Sequence, residues 1–407
     1  MSRDRVEPPP GTCGMEVFIA AGEPSGDRQG AALANEIRRL EPQAQIGGVG
    51  SHAMAGAGVR LLFDSAGWAA IGVGEALKKV PSLWFKHRAI WRHLLAKPPA
   101  ALVLIDFGAF NLRLARAIRG RGIPILYYFP PRSWSREPPT GGLTDLVDAI
   151  ATPFPWSQQA LSGGRAEVRW VGHPLVDQVR PALAAAAARE RWQIAESERL
   201  VVVAPGSRAQ ELRLLLPELV AAAQILNRSL PALRFAVSAA PGVRQESLGR
   251  RFRRIGIEPI IVEGLNPDLL QLAEVALVTS GTATLELAIL GAPMVVVYRI
   301  SLAGCVQYAI MRRLYGPLRF IAMPNVIAQR AIVPELIQER ARGDLIAAEA
   351  RNLLEDRAAA QRMRRELLAV AAELGPPGAA RRAAEMTLAL ARGRRIEDEP
   401  ISFPACP

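Results

Sequence analysis

Cysteine is scarce: three residues in 407, at positions 13, 305 and 406. Such wide spacing argues against a disulfide framework or a metal knuckle and fits a reducing, cytoplasmic setting. Histidine is equally thin, at four residues. His52 lies near a glycine cluster, His87 and His93 in a basic stretch, and His173 in a Gly-His-Pro turn that reads as a hydrogen-bonded hinge. Nothing here supports His-based catalysis, and no His/Asp/Glu cluster predicts a metal. Half the chain is hydrophobic, yet no uninterrupted apolar run reaches the ~18 residues of a membrane span. The first fourteen residues hold three Pro and four charges but no apolar core, so they do not read as a secretory signal. Acidic residues are also in deficit: 38 Asp and Glu against 50 Lys and Arg leave a net charge of +12. That excess favours an anionic partner, whether nucleic acid, an acidic membrane face or a phosphorylated substrate. Part of it reflects an Ala- and Arg-rich composition.

What is present is alternation. Apolar runs at Met15–Ala21, Ile46–Val49, Leu102–Phe107, Pro124–Phe129, Ala149–Phe154 and Val168–Val171 are separated by turn signals and helically spaced segments. A second series follows Gly172-His173-Pro174, at Leu200–Ala204, Leu233–Val237, Pro259–Val262, Val275–Val278 and Met294–Tyr298. Strands alternating with helices predict an α/β fold of parallel sheets covered on both faces. The expectation is two doubly wound, Rossmann-like domains facing each other across a cleft. From Leu336 onward the chain reads as helix, broken at Pro376-Pro377-Gly378 before a last helix at Ala379–Ala391. The expected organisation is a disordered tail over 1–14, a domain over 15–173, a second over 174–355, helices over 356–395 returning to the first domain, and a tail over 396–407.

Ligands of doubly wound sheets gather beyond the carboxyl ends of the strands, and four loops fall there. Thr279-Ser280-Gly281-Thr282-Ala283-Thr284-Leu285-Glu286 joins a strand to a helix start. Gly281 admits close backbone approach, and the helix mouth offers free N–H groups to a phosphate. Thr282 and Thr284 add hydroxyls, and Glu286, in the first turn, suits a ribose diol. An ordinary βα connection with a Ser or Thr cap explains the stretch equally well. Pro205-Gly206-Ser207-Arg208-Ala209-Gln210-Glu211 sets a guanidinium, which grips phosphate bidentately, in a turn that Glu211 can brace. A plain capping box from Ser207 to Gln210 is the alternative. Asp106 follows Val103-Leu104-Ile105 directly. Partial burial there would raise its pKa and suit it as a base; an N-cap or Asx-turn is the competing reading. Gly22-Glu23-Pro24-Ser25-Gly26-Asp27 is neither a dinucleotide fingerprint nor a P-loop, and Asp27 can simply cap the following helix. An Arg loop and a helix mouth in the second half suit a pyrophosphate, with the first half left to supply an acceptor site and a base. That division fits a nucleotide-sugar glycosyltransferase.

The order and spacing of several short motifs make a sharper case. They are Ala21–Asp27, Gly48-Val49-Gly50 with Met54 and Gly58, Ile71–Glu75, Ile105-Asp106 with Phe110-Asn111, Val171–Pro174, Pro205–Arg208 with Glu211, Ser280–Glu286, Met294–Arg299 and Met323-Pro324-Asn325. Together they resemble the lipid-A-disaccharide synthases over roughly Val17 to Gln338. The resemblance implies a GT-B fold with the C-terminal helix packed back on the first domain. It also implies inverting, metal- and cofactor-free transfer of a diacylated glucosamine from a UDP donor to an acylated glucosamine phosphate. By the same resemblance Asp106 is the catalytic base and Arg208 neutralises the leaving UDP. Gly206, Ser207, Glu211, Ser280, Gly281, Thr282, Glu286 and Asn325 line the donor site, and Glu23, Ser25, Gly26, Asp27 and Asn111 the acceptor side. Two departures fall in the acceptor half: Ala109 replaces a second Asp, and Pro130–Arg136 replaces an aromatic-rich segment. Arg132 and Arg136 are candidates to hold the acceptor phosphate in compensation.

Leu77–Pro98 interleaves six Lys and Arg with Trp84, Phe85, Trp91 and several Leu and Ile. This suits an interfacial segment on an anionic membrane, with Trp84, Phe85 and Trp91 inserted; a core-packed amphipathic helix with a basic face is the alternative. The membrane reading implies a peripheral protein on the cytoplasmic face of the inner membrane, with no nucleic-acid partner, and leaves a homodimer open. Rival functions are another UDP-sugar transferase, a UDP-sugar epimerase, or a catalytically degenerate membrane or nucleic-acid binding protein.

Overall fold

The computed structural model describes residues 14–68, 73–136, 142–240, 242–300, 319–394 and 396. All three cysteines, Ile71 and Gly72 of the Ile71–Glu75 motif, and nearly all of both expected tails lie outside these residues. In the helix Val73–Ala96 side chains are described from Pro81 onward, so those of Lys78 and Lys79 lie outside too. The chain forms two compact units, one built from residues up to Pro174 and from Gly378 on, the other from Leu175–Pro377.

The first unit holds β1 (Glu16–Ala21), β2 (Gln45–Gly50), β3 (Arg60–Asp64), β4 (Ala101–Ile105), β5 (Ile125–Tyr128), β6 (Ala149–Thr152) and β7 (Glu167–Trp170), in the order β3-β2-β1-β4-β5-β6-β7. Every pairing is parallel. The central strands are continuous apolar runs because both faces are covered. Ile19, Leu33, Ile37, Leu126 and Met386 pack on one face, and Phe18, Ile90, Leu94, Leu114 and Tyr127 on the other. The chain order runs one way from β1 to β3 and the other way from β4 to β7, so the topological switch lies between β1 and β4.

The glycines of the Gly48-Val49-Gly50 motif are explained by packing. A Cβ at Gly30 or Gly50 would lie 2.6 or 2.3 Å from the sulfur of Met54, and one at Gly48 would lie 2.3 Å from the Ile19 carbonyl oxygen. The last helix, Ala379–Ala391, closes this unit against the helix Pro24–Leu40. Its Arg382 is 2% exposed and donates through Nε to the Val171 carbonyl at 2.8 Å.

The second unit holds β8 (Arg199–Ala204), β9 (Leu233–Ala239), β10 (Ile260–Glu263), β11 (Ala273–Thr279), β12 (Met294–Tyr298) and β13 (Glu335–Ile337), in the order β10-β9-β8-β11-β12-β13, again all parallel. Its switch lies between β8 and β11. The helix Arg357–Ala372 stays in this unit, against the helix Thr282–Ile289. Of the two C-terminal helices, only Ala379–Ala391 returns to the first.

Two strands escaped the sequence reading, and both are sheet edges. β3 offers only the short apolar trio Leu61-Leu62-Phe63. β13 occupies the stretch expected to begin a helix; the chain passes through a 3-10 turn at Gln338–Arg340 before the helix Gly343–Glu355 starts.

Candidate active site

At the first switch point, Asp106 leaves the end of β4 with φ of 46°, and Phe107 follows at 48°. Two consecutive non-glycine residues in the left-handed region carry a cost of roughly 1–3 kcal/mol each, so the surroundings must hold them. The Asp106 carbonyl accepts from Asn111 Nδ2 at 2.9 Å and from the Tyr127 hydroxyl at 2.8 Å. The Phe107 carbonyl accepts from the Phe110 and Asn111 backbone N–H groups at 3.2 and 3.1 Å. Phe107 then packs at 5.4 Å from Phe110 and 6.4 Å from Trp68. Gly22 lies flat against its ring: a Cβ there would sit 2.2 Å from a ring carbon. Burial, reinforced by the Glu23 charge, pushes the Asp106 carboxyl up to about 6. A carboxylate with that affinity for protons accepts one efficiently near neutral pH.

Glu23 caps the helix Pro24–Leu40 from an extended conformation, and Ser25 and Gly26 form its first turn beside Asp106's strand. Asp27, expected on the acceptor side or as the cap of its own helix, does neither. It is 5% exposed and accepts from the Ser51, Ala53 and Met54 N–H groups at 2.6, 2.8 and 3.2 Å, so it caps the short helix His52–Gly56. Asn111 is likewise corrected. It is 1% exposed and donates to the Ala20 and Ile105 carbonyls as well as to Asp106, so it ties β1 to β4 rather than meeting an acceptor. Arg136, a candidate phosphate ligand, lies 4.7 Å over the Trp156 ring.

At the second switch point, Gly206 takes φ of 98°, and a Cβ there would lie 2.4 Å from Glu211 Oε2. Glu211 is 9% exposed. Its Oε2 accepts from the Ser207 and Arg208 N–H groups at 3.1 and 3.2 Å, and its Oε1 from Arg208 Nη1 at 3.1 Å. The acid of the capping arrangement is therefore Glu211, not Gln210, and Arg208 rather than Ser207 is the cap residue. One edge of the guanidinium is fixed while the side chain stays 54% exposed. Tyr298, at the end of β12, senses both charges: burial raises its hydroxyl pKa, Arg208 lowers it and Glu211 raises it. It was not among the expected site residues, although its place at a strand's carboxyl end was a usable signal.

Beyond β11, Gly281 adopts φ 154°, ψ −162°, a conformation essentially restricted to glycine. Gly281 and Thr282 are exposed at the mouth of the helix Thr282–Ile289, whose first turn holds no acid. Glu286 therefore sits one turn further in than expected. Ser280 Oγ donates to the Ile321 carbonyl at 2.7 Å. Thr284 is fully buried and donates to the Gly281 carbonyl, so it offers a ligand nothing. Asn325, expected to line the donor site, is also fully buried. Its amide donates to the Val333 carbonyl and to Glu335 Oε1 and accepts from the Ile332 and Val333 N–H groups. All four of its hydrogen-bonding positions are used, and its work is to hold the loop before β13.

The helix Val73–Ala96 divides its faces. Ile90 and Leu94 are buried in the core, while Trp84 and Phe85 are 52% and 64% exposed, edge-on at 5.1 Å, with the Arg88 guanidinium 5.7 Å over Trp84. Trp91 is half-buried and donates to the Ala117 carbonyl at 3.3 Å; it packs on the protein and is not an exposed anchor. His173 is buried between the rings of Phe129 and Phe154, and burial drives its pKa down to about 3, so it stays neutral. A cavity of about 510 Å³ opens in the first unit at the amino-terminal ends of β5 and β6, beside Arg119, Asp148 and Arg394, at the end of that sheet opposite Asp106. Among the described residues, no helix is long and apolar enough to cross a membrane.

Two doubly wound units, one with a raised carboxylate at its switch point and the other with an arginine loop and an open helix mouth at its own, give the architecture of the GT-B class, which sugar-nucleotide epimerases and glycosyltransferases share. Solved structures agree on the fold. A UDP-GlcNAc 2-epimerase from Neisseria meningitidis bound to UDP-GlcNAc matches with a TM-score of 0.57 at 12% identity, over 88% of this chain and 97% of that one. The glycotransferase of kitacinnamycin matches with a TM-score of 0.58 at 15% identity, over 93% and 99%. The particular family follows from sequence: this chain belongs to the lipid-A-disaccharide synthetases, whose family model matches residues 17–385. The lipid-A-disaccharide synthase of Myxococcus xanthus is 34% identical over 381 residues, 93% of this chain and 98% of the relative. The chain is accordingly a hexosyltransferase. The epimerase likeness is one of fold alone, and family membership disfavours that alternative.

Proposed function

We propose that the protein transfers a 2,3-diacylated glucosamine from its UDP donor to 2,3-diacylglucosamine 1-phosphate, forming lipid A disaccharide 1-phosphate and UDP. The observation that carries the site assignment is Asp106, a carboxylate at the end of a switch-point strand with a proton affinity raised to about 6. The acceptor hydroxyl oxygen attacks C1 of the donor sugar from the face opposite the diphosphate. A new C1–O bond forms, the C1–O bond to UDP breaks with its electron pair, and the hydroxyl proton passes to Asp106. The configuration at C1 inverts.

Charge then builds on the departing UDP. Arg208 and the N–H groups at the mouth of Thr282–Ile289 meet it, preset so that little reorganisation is needed during the reaction. Glu211 holds the guanidinium ready, Gly206 and Ser207 shape its loop, and Gly281 gives the phosphates close access. Ser280, Thr282 and Glu286 serve the rest of the nucleotide. Glu23, Ser25 and Gly26 face the acceptor. Trp84 and Phe85 rest on the anionic cytoplasmic face of the inner membrane, where both acylated substrates reside.

The test is UDP release measured with UDP-diacylglucosamine in mixed micelles, with and without acylated glucosamine phosphates. Release that requires the acceptor is expected. Interconversion of the donor without acceptor, or no turnover with any acceptor, contradicts the proposal.

A further inference from the structure

We infer that Tyr127 is a positioning residue for the transfer: its buried hydroxyl, together with the Asn111 amide, pins the Asp106 carbonyl and so keeps the carboxylate in its reactive orientation. This rests on Asp106 being the base, as proposed above, and adds a residue that none of the sequence motifs contains.

Tyr127 lies in the interior of β5, beside β4, with no solvent exposure. Its phenol is the one polar atom the side chain carries, and it donates to the Asp106 carbonyl at 2.8 Å. Asn111 donates to the same oxygen at 2.9 Å. A backbone carbonyl has two lone pairs, and here side chains from two different elements take both. The carbonyl belongs to a residue at φ 46°, followed by another at 48°. Left alone, this peptide would relax toward negative φ, because neither residue is a glycine. Relaxation would rotate the Asp106 side chain away from its present direction. These two hydrogen bonds, both from buried side chains, offset part of that strain. Burial by the same aromatic shell keeps the Tyr127 hydroxyl protonated and therefore a permanent donor; its pKa is raised by burial and further by Asp106. Tyr128 is the natural control. Its ring packs in the core on the other face of the sheet, and its backbone carbonyl accepts from the Asp106 N–H at 3.2 Å.

The experiment compares Tyr127→Phe with Tyr128→Phe and wild type, reading kcat, KM for both substrates, the acid limb of kcat against pH, and Tm. For Tyr127→Phe the expectation is a kcat reduced about fivefold or more. Each KM should stay within about twofold, and the acid limb should move below its wild-type position as the freed carboxylate gains water. Tyr128→Phe should leave the limb in place. A merely structural tyrosine would lower Tm and the active fraction without moving the limb. That result, or a Tyr127→Phe enzyme indistinguishable from wild type, overturns the inference. If Tyr127→Phe does not fold, Asn111→Ser, which removes the other donor, carries the same expectations and the same refutation. The underlying assignment fails separately: an active Asp106→Asn enzyme would refute the base itself, whereas an inactive Asp106→Asn with an unaltered Tyr127→Phe would refute only the clamp.

Discussion

At the scale of single residues the proposed chemistry turns on Asp106, whose carboxyl is pushed up to about 6 by burial and by the charge of Glu23, and on neighbours that fix the backbone around it. Asp27, Asn111 and Asn325 all lie in motifs of the resemblance, and all prove to hold backbone rather than offer an open polar group to a ligand. Their partners explain why. Asp27 reaches Ser51 to Met54, Asn111 reaches back to Ala20, and Asn325 meets Val333 and Glu335. A motif marks a constrained residue but does not say whether ligand or scaffold constrains it, and only the long-range pairings decide. The place of Asp106 at a strand's carboxyl end was legible because it follows a buried apolar run directly; its strained backbone and the Glu23 charge that raises its proton affinity were not. That tuning is testable. The base works deprotonated, so activity should rise with pH through about 6, the raised value of Asp106. Glu23→Gln removes one of the two raising causes and leaves burial, the larger one. The acid limb of the pH–rate profile should therefore move to lower pH by a fraction of a unit; a limb that stays in place or rises would remove Glu23 from this role.

Among elements, the continuous apolar strands announced themselves, because a parallel strand covered on both faces has no polar alternation to hide it. The edge strands β3 and β13 did not, since a short, half-covered strand carries too few apolar positions to stand out. The helix Val73–Ala96 shows why its two readings both seemed adequate: one face is core, through Ile90 and Leu94, and a turn away Trp84 and Phe85 stand in solvent. Trp91 carries the same composition signal but packs inward. Replacing both exposed rings, Trp84→Ser with Phe85→Ser, should weaken binding to vesicles containing anionic lipid by roughly tenfold or more, from the apolar area no longer buried. The circular dichroism spectrum should not change, because neither ring supports the fold. Equal binding by the variant, measured by vesicle flotation, would contradict the membrane role.

For the molecule as a whole, alternation of strands and helices was enough to foresee two doubly wound sheets, because chain order and parallel pairing leave few other topologies. It was not enough to sort the C-terminal helices. Arg357–Ala372 and Ala379–Ala391 have similar Ala- and Arg-rich compositions, yet the Pro376-Pro377-Gly378 break sends only the second into the first unit, where Arg382 is buried against Val171. Each unit then contributes its own part of the proposed chemistry, a proton acceptor from one and a diphosphate site from the other. The most direct measurement is single-turnover transfer by Asp106→Asn, with saturating donor and acylated glucosamine phosphate. The account predicts that donor binding survives while the transfer rate falls by about 10²- to 10⁴-fold. Transfer by Asp106→Asn at the wild-type rate would contradict it.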